Sequence, residues 1–369
     1  MQGRLENEPF ERARRRLNTG SVILLLCAIA VAAVIGIVTS LGQRPTTHHV
    51  PPVAQAPAPF QPQTLPPALL TNQPESGAGF SVASDLAAHD VVLFGGVGDY
   101  PNTWLWNGSS WTLADPASSP AGRFGASAAY DPQMKSVVMF GGRLEDGTPV
   151  HDTWAWNGST WTALDSGAGG PPPGAGSDMA WDPATSQMVL VTSSGVISDP
   201  ADTWVWAGTH WNHPSGAVLP AGADYSPMSF DPVSKSLLAV ACCVGPPPAT
   251  AATNTTWRWT GATWTLLPTP TAAPVDASSI NVDPETGHLV LCACGASTLP
   301  QPEFWAWNGT SWAPFSTAPL PVASGTEIAD GSELLVFGPP TSSVPSGEPP
   351  VDVWALSARS TWSQLDNAG

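Results

Sequence analysis

Few side chains in this 369-residue sequence stand where they could do chemistry. Four cysteines, Cys242, Cys243, Cys292 and Cys294, lie close together, far from Cys27. As thiolates they could hold a soft metal, and in an oxidising space they would pair. His288 is the only histidine near them in sequence, so disulfide formation is the expected chemistry. Connectivity cannot be read from spacing. His48 and His49 are adjacent in a Pro-rich stretch and are read as solvated side chains. Asn107, Asn157, Asn254 and Asn308 each open an N-x-S/T triplet, and three of them precede a Gly, which suits a tight turn. Arg123, Arg143 and Arg258 are the few cations that could line a channel, and the only tyrosines are Tyr100, Tyr130 and Tyr225. There is no G-x-S-x-G elbow, no H-E-x-x-H and no phosphate loop. No catalytic residue, cofactor or metal ligand set is therefore assigned.

The charge balance narrows the partners. The chain carries 12 Lys+Arg against 29 Asp+Glu, a net charge of −17, which disfavours nucleic acid. Charged residues make up only 11% and hydrophobic ones 42%, which argues against charge-driven disorder. With 41 Pro and 35 Gly, long helices would be interrupted throughout, which argues against a helical bundle. Residues 1–20 hold five Arg and three Glu, whereas everything from Gly42 onward holds 7 basic and 26 acidic residues.

Between these parts lies an uncharged stretch whose centre, residues 22–38, is continuously apolar or small. Residues 21–41 are read as one transmembrane helix, since about 20 residues at 1.5 Å rise span a bilayer core of roughly 30 Å. The arginines at 12 and 14–16 flank its N-terminal side, so the positive-inside rule puts residues 1–20 in the cytoplasm and the rest outside. The apolar core exceeds that of a signal peptide, and Ala54-Gln55-Ala56 is followed by Pro57, so an uncleaved signal-anchor is expected. Residues 42–79 are Pro-rich without periodicity and read as a disordered, semi-rigid linker. Only Lys135 and Lys235 are lysines, and Ala, Pro and Gly abound, a composition that suggests a GC-rich bacterial genome.

Residues 80–369 repeat themselves. A Trp-x-Trp motif occurs five times: Trp104 with Trp106, Trp154 with Trp156, Trp204 with Trp206, Trp257 with Trp259, and Trp305 with Trp307. A degenerate copy stands at Trp354. A further Trp follows each: Trp111, Trp161, Trp211, Trp264, Trp312 and Trp362. The period is close to 50 residues and accounts for all of the 18 Trp except Trp181. Upstream and in phase, a turn begins at Asp131-Pro132, Asp182-Pro183, Asp231-Pro232 and Asp283-Pro284, with Asp85 and Asp330 in the outer copies. An apolar run follows each turn, and Gly-Gly follows the run in the first two copies, at Gly95-Gly96 and Gly141-Gly142.

Each copy reads as four strands. The second is the apolar run, expected to be buried on both faces. The third is Trp-x-Trp, whose two indoles share a face, and the fourth brings its Trp across the hairpin. The 17 repeat Trp are therefore read as structural core. Six such copies predict an all-β, six-bladed β-propeller of four-stranded antiparallel blades. No fourth strand is visibly borrowed, so either blade one meets blade six by side-chain packing or residues 68–80 add a strand. Two before each motif Trp stands Asp152, Asp202, Glu303 or Asp352, with Asn102 and Thr255 in the same slot. Local hydrogen bonding to the backbone explains that set better than a Ca²⁺ ring, which needs six to eight oxygen ligands. Cys242 and Cys294 stand at the same offset from their turns, so a disulfide joining blades four and five, from Cys242 or Cys243 to Cys292 or Cys294, is expected.

The copies resemble the Kelch repeat in period, in Gly-Gly after strand two and in spaced aromatics on strands three and four. The best copy runs from Arg123-Phe124-Gly125 through Asp131, Gly141-Gly142 and Trp154 to Trp161. The resemblance implies a disc with a central channel, like the central domain of galactose oxidase, although that enzyme's copper ligands have no counterpart here. The expected function is a membrane-anchored, extracytoplasmic binding or scaffolding module whose partner is a protein or a cell-envelope glycan. The alternative is a carbohydrate-active enzyme with its site at the channel mouth.

Overall fold

The computed structural model of the chain describes residues 73–74, 79–97, 101–172, 177–193, 199–220, 226–244, 253–269, 277–293, 303–315, 326–338, 351–357 and 361–365. The chain divides into two units, Met1–Thr64 and Leu65–Gly369, and all described residues belong to the second. The cytoplasmic tail, the apolar helix and nearly all of the Pro-rich linker predicted from sequence lie outside them. Among the described residues no helix is long and apolar enough to cross a membrane.

Six antiparallel sheets follow one another along the chain, each with its strands in sequence order. Blade one is Ser81–Asp85, Asp90–Phe94, Thr103–Trp106 and Trp111–Leu113. The inner strands of the other blades are Ser127–Asp131, Ser177–Asp182, Met228–Asp231, Ser279–Val282 and Thr326–Ala329. Neighbouring inner strands lie side by side, and that of blade six returns to that of blade one. Blade three gains a short extra strand, Val218–Leu219, on its third strand, and Arg123–Phe124 pairs with Arg143–Leu144 as a separate ribbon beside blade two.

The second strands explain why the disc coheres. Their side chains alternate between two seams, so a continuous apolar run buries both faces. Val137 and Met139 pack toward blade one, whereas Val138 and Phe140 pack toward blade three. Leu289 and Leu291 face blade four, whereas Val290 and Cys292 face blade six.

The repeat Trp divide into two groups. The second motif Trp of blades one to five, Trp106, Trp156, Trp206, Trp259 and Trp307, are all buried. So are the six outer-strand Trp: Trp111, Trp161, Trp211, Trp264, Trp312 and Trp362. Within each of the first five blades the two are cross-strand partners: Trp106 with Trp111, Trp156 with Trp161, Trp206 with Trp211, Trp259 with Trp264 and Trp307 with Trp312. Their ring centroids lie 5.1–5.5 Å apart. Blade six substitutes Leu356 opposite Trp362. Each indole pair fills the seam with the preceding blade, and burying one such ring contributes roughly 4–6 kcal/mol before ordering costs. The expectation that all 17 repeat Trp are core needs correcting for the first motif position. Trp104 is buried there, but Trp154, Trp204, Trp257, Trp305 and Trp354 are only partly so. The inner motif Trp meets its outer-strand partner beside the tight turn, whereas the first one stands two residues further from it, where the seam opens.

Ring closure uses packing, and among the described residues no strand is exchanged between blades one and six. Val91, Leu93, Trp106 and Trp111 of blade one interdigitate with Leu335, Phe337 and Val353 of blade six. Trp111 lies 5.5 Å from Phe337, ring to ring. The segment before blade one also ties down blade six, because Val351 N donates to Pro74 O at 3.1 Å.

A polar pin crosses four of the seams. The outer-strand indole N–H donates to the hydroxyl of a third-strand Thr in the preceding blade: Trp161 to Thr103, Trp211 to Thr153, Trp264 to Thr203 and Trp312 to Thr256, at 2.8–3.0 Å. The equivalent positions in blades five and six are Phe304 and Val353, and there the indole N–H groups of Trp362 and Trp111 are buried without a partner. An unmet buried donor costs about 1–3 kcal/mol. Val353→Thr is therefore expected to stabilise the fold by about 1 kcal/mol, read as a higher urea midpoint with unchanged slope. Unchanged or lower stability would show that the seam has no room for the hydroxyl to meet Trp111.

Candidate functional site

The seams reach the surface at the partly exposed first Trp of blades two to six. Three of these rings are held by the residue two positions earlier. Trp154 Nε1 donates to Asp152 at 2.6 Å, Trp257 Nε1 to Thr255 at 2.9 Å, and Trp305 Nε1 to Glu303 at 3.4 Å. In these three blades the slot residue serves the indole N–H, and a carboxylate or a hydroxyl can do so. Asp202 takes a different partner: His213 Nε2 lies 3.4 Å from its carboxylate while the imidazole stacks on Trp204 at 4.6 Å. Among the described residues no group of three or more His, Cys, Asp or Glu is placed to hold a metal ion.

Asp152 has a second task. Arg123 is only 1% exposed and gives its guanidinium to both Asp152 oxygens, at 2.5 and 3.1 Å. The same head group donates to Ala121 O and Gly141 O at 3.0 Å. Burial works to raise the Asp152 pKa, but the Arg123 hydrogen bond and charge, with the Trp154 N–H, outweigh it and hold the carboxyl below its usual range. The Gly-Gly pairs make room for this segment. A Cβ at Gly95 would fall 2.1 Å from Arg123 O, and Gly96 N donates to that oxygen at 3.0 Å.

Toward the channel, polar side chains of the inner strands bridge the seams. Ser81 donates to Ala126 O, Ser127 pairs with Ser177, and Ser84 of blade one donates to Ala329 O of blade six. Two carboxyls belong to this ring. Asp178 of blade three accepts from Met228 N of blade four at 2.7 Å, and from Met179 N at 2.9 Å. Burial pushes its pKa up to about 7, against the lowering effect of those two N–H groups. Glu327 of blade six accepts from Ser279 of blade five at 3.1 Å, while Asn281 donates to its backbone oxygen at 2.8 Å. Glu327 is 2% exposed, its Oε1 has no partner, and burial pushes its pKa up to about 8. The two carboxyls sit three blades apart, on opposite sides of the ring.

The other end of the inner strands, beside the Asp turns, is aromatic on one side. Tyr130, Trp181 and Phe230 occupy the same register on blades two, three and four, opposite Val137, Met188 and Leu237. All three are partly exposed, whereas blades five, six and one place Val282, Ala329 and Ser84 there. The turn aspartates are engaged locally. Asp131 accepts from the backbone of Gln133 and Met134, and Asp85, Asp182, Asp231, Asp283 and Asp330 likewise accept backbone N–H groups in their own turns.

The structure redistributes the other sequence candidates. Arg143 donates to Gly147 O within its own hairpin, and Arg258 lies on a third strand, so none of the three arginines stands on an inner strand. Asn107, Asn157 and Asn308 accept backbone N–H bonds in exposed turns, whereas Asn254 is buried. Cys292 is buried in the seam with blade six and is disulfide-bonded. The side chains of Cys242 and Cys243, and all of Cys294, lie outside the described residues, as do Tyr100 and Tyr225. Asp178 and Glu327 escaped the sequence reading. Their one signal is a carboxylate in the inner-strand segment that precedes a turn aspartate.

No protein-family model and no curated protein matches the chain. Among solved structures it is similar to the fungal lectin of Aleuria aurantia, described as a six-bladed β-propeller with a fucose recognition mode. The identity is 13%, over 80% of this chain and 96% of that one, with a TM-score of 0.54. It is also similar to YjhT, at 12% identity over 80% of this chain and 99% of that one, with a TM-score of 0.51. Such likeness shows the fold, a six-bladed β-propeller.

Proposed function

We propose that the chain is a binding module that its N-terminal apolar segment holds at a membrane, with the Kelch-like propeller outside and a cell-envelope glycan as partner. The observation that carries this reading is the partly exposed Trp at successive seams, with the indole N–H of Trp154, Trp257 and Trp305 fixed by a neighbour. A ring held in one orientation offers its negative face to the weakly positive C–H groups of a sugar with little entropy left to lose. Repetition around the disc would add weak sites into a useful avidity for a polymer. The fucose lectin among the similar structures supports a glycan over a protein partner.

A second reading, an enzyme acting on carbohydrate, is favoured by the raised pKa of Asp178 and Glu327. Both carboxyls are committed to seams on opposite sides of the ring, which favours a structural role. A glycan array probed with the full-length chain, with and without Ca²⁺, separates the readings. Retention of intact glycan is expected, with Trp154→Ala and Trp305→Ala each weakening it about tenfold, or about 1.4 kcal/mol. Release of shortened sugars would establish the enzyme instead, and retention of no glycan would reject both.

A further inference from the structure

Resting on the glycan reading above, we propose that Trp204 of blade three is a gated platform, covered by His213 and uncovered when Asp202 changes partner. Each first motif Trp has a second-strand neighbour on one side and an outer-strand neighbour on the other. Buried Leu190 backs Trp204 on the second-strand side. His213 stands on the outer side, one step beyond the Val205–Asn212 pair. Its imidazole covers that side of the indole, with ring centroids 4.6 Å apart and planes inclined by 34°. At the same outer-strand place blade two has Ala163, blade four Leu266 and blade five Pro314. Among the described residues no aromatic ring stacks on Trp154, Trp257 or Trp305.

Blade two is the open counterpart. It has the same slot residue and the same Trp, and there Asp152 accepts the Trp154 indole N–H at 2.6 Å. In blade three Asp202 instead lies 3.4 Å from His213 Nε2, and Trp204 Nε1 is buried without a partner. The covered state thus gives up a buried hydrogen bond that the open state would make, in exchange for a half-exposed stack and ion pair. An unmet buried donor is costly and an exposed pair contributes little, so the open state lies within reach of a ligand that stacks on the indole. Asp202 also lacks the guanidinium that holds Asp152. Where Arg123 precedes the inner strand of blade two, residues 171–176 before that of blade three are Pro, Gly and Ala. The side chains of His213 and Asp202 are 40% and 42% exposed, so both can turn without disturbing the core. A sugar face and the imidazole compete for one side of the ring, and His213 decides whether blade three adds to the run of platforms.

Hydroxyl-radical footprinting of the full-length chain, read at each Trp by mass spectrometry, tests the gate without a glycan. His213→Ala gives blade three the Asp, Trp and Ala of blade two and should speed Trp204 oxidation several-fold, with Trp154 unchanged. His213 is exposed, so this variant keeps the fold. Asp202→Asn, which keeps an acceptor for the indole but removes the carboxylate from His213, should speed it in part. On the glycan array Trp204→Ala alone should change retention by no more than about twofold, because its platform is covered. His213→Ala should strengthen retention about three- to tenfold, and adding Trp204→Ala should remove that gain. An oxidation rate that His213→Ala does not move overturns the proposal, as does a Trp204→Ala loss as large as that of Trp154→Ala. A moved footprint with no glycan retained by any variant upholds the gate and rejects the glycan reading alone.

Discussion

Asp152→Ala is expected to cost the propeller about 3 kcal/mol. Arg123 lies almost wholly out of water, and its guanidinium is satisfied by two carbonyl oxygens and both oxygens of Asp152. Removing the carboxylate strands a buried cation, which typically costs about 3–5 kcal/mol. The Asp152 side chain is 26% exposed, so water can reach the vacated site and the lower end of that range applies. Against a total stability of about 5–15 kcal/mol this is a large fraction. The effect extends beyond blade two, because Arg123 O receives Gly96 N of blade one. Asp152→Asn should cost less, since it keeps an acceptor for Arg123 and for Trp154. Replacing both partners, as in Arg123→Met with Asp152→Asn, should recover much of the loss, which separates charge stranding from simple loss of shape. Acid gives the same information. The Asp152 carboxyl is held below its usual value of 3.8, so its contribution is present above that pH and is lost as pH falls through the lower folded value. An Asp152→Ala protein within about 1 kcal/mol of the native stability by urea unfolding would falsify this account.

How much of this is legible in the sequence differs by level. Period, blade count and strand order follow from Trp spacing and the Asp turns, because each is a local requirement. A cross-strand indole pair such as Trp156 and Trp161 needs fixed spacing around its Asn-Gly turn, and a turn Asp must accept N–H groups a few residues on. The two-sided burial of Val137–Phe140 also follows, since a continuous apolar run fits a strand between two covered faces. What sequence does not supply is the seam. Thr103 and Trp161 lie 58 residues apart, and their bond exists only once neighbouring blades meet. The seam also decides how deep each motif Trp lies. Trp206 and Trp259 are buried while Trp204 and Trp257, two residues earlier on the same faces, are partly open, a difference that i and i+2 spacing does not encode. The slot acids are visible in the sequence, but their indole partner is not, since i to i+2 contact depends on side-chain direction. Ring closure is open between two routes until the blades are assembled. Packing of Trp111 on Phe337 supplies the first route among the described residues, most of residues 68–80 lie outside them, and no local pattern distinguishes that contact from any other seam.

The propeller should also lose stability as pH rises from about 5 to 8, the reverse of its acid behaviour. At neutral pH an unfolded chain has released the protons of Asp178 and Glu327, whose ordinary values are 3.8 and 4.5. The folded chain keeps them up to about 7 and about 8, because loss of hydration disfavours the ionised form of each, with Glu327 fully buried and Asp178 partly so. A folded state that binds the extra proton is favoured at low pH. Stability is then lost over 3.8 to about 7 for Asp178 and over 4.5 to about 8 for Glu327, and it levels off above. Each group contributes a slope of roughly 1 to 1.5 kcal/mol per pH unit inside its window. Glu327 is the clearer case. The same register in the other blades holds Val82, Ala128, Met179, Met228 and Ile280, so the seam is built for an apolar side chain. Glu327→Gln keeps an acceptor for Ser279 without the titration and should remove about half of the slope between about pH 5 and 7. Glu327→Met, matching blades three and four, should exceed the native protein in stability at about pH 7.5. Urea unfolding at about pH 5.5 and 7.5 measures both variants. A Glu327→Gln protein with the native slope would show that the carboxyl ionises freely in the folded state. The two groups belong to opposite sides of one ring, so their losses should add, and Asp178→Asn with Glu327→Gln should leave the propeller nearly indifferent to pH across the neutral range.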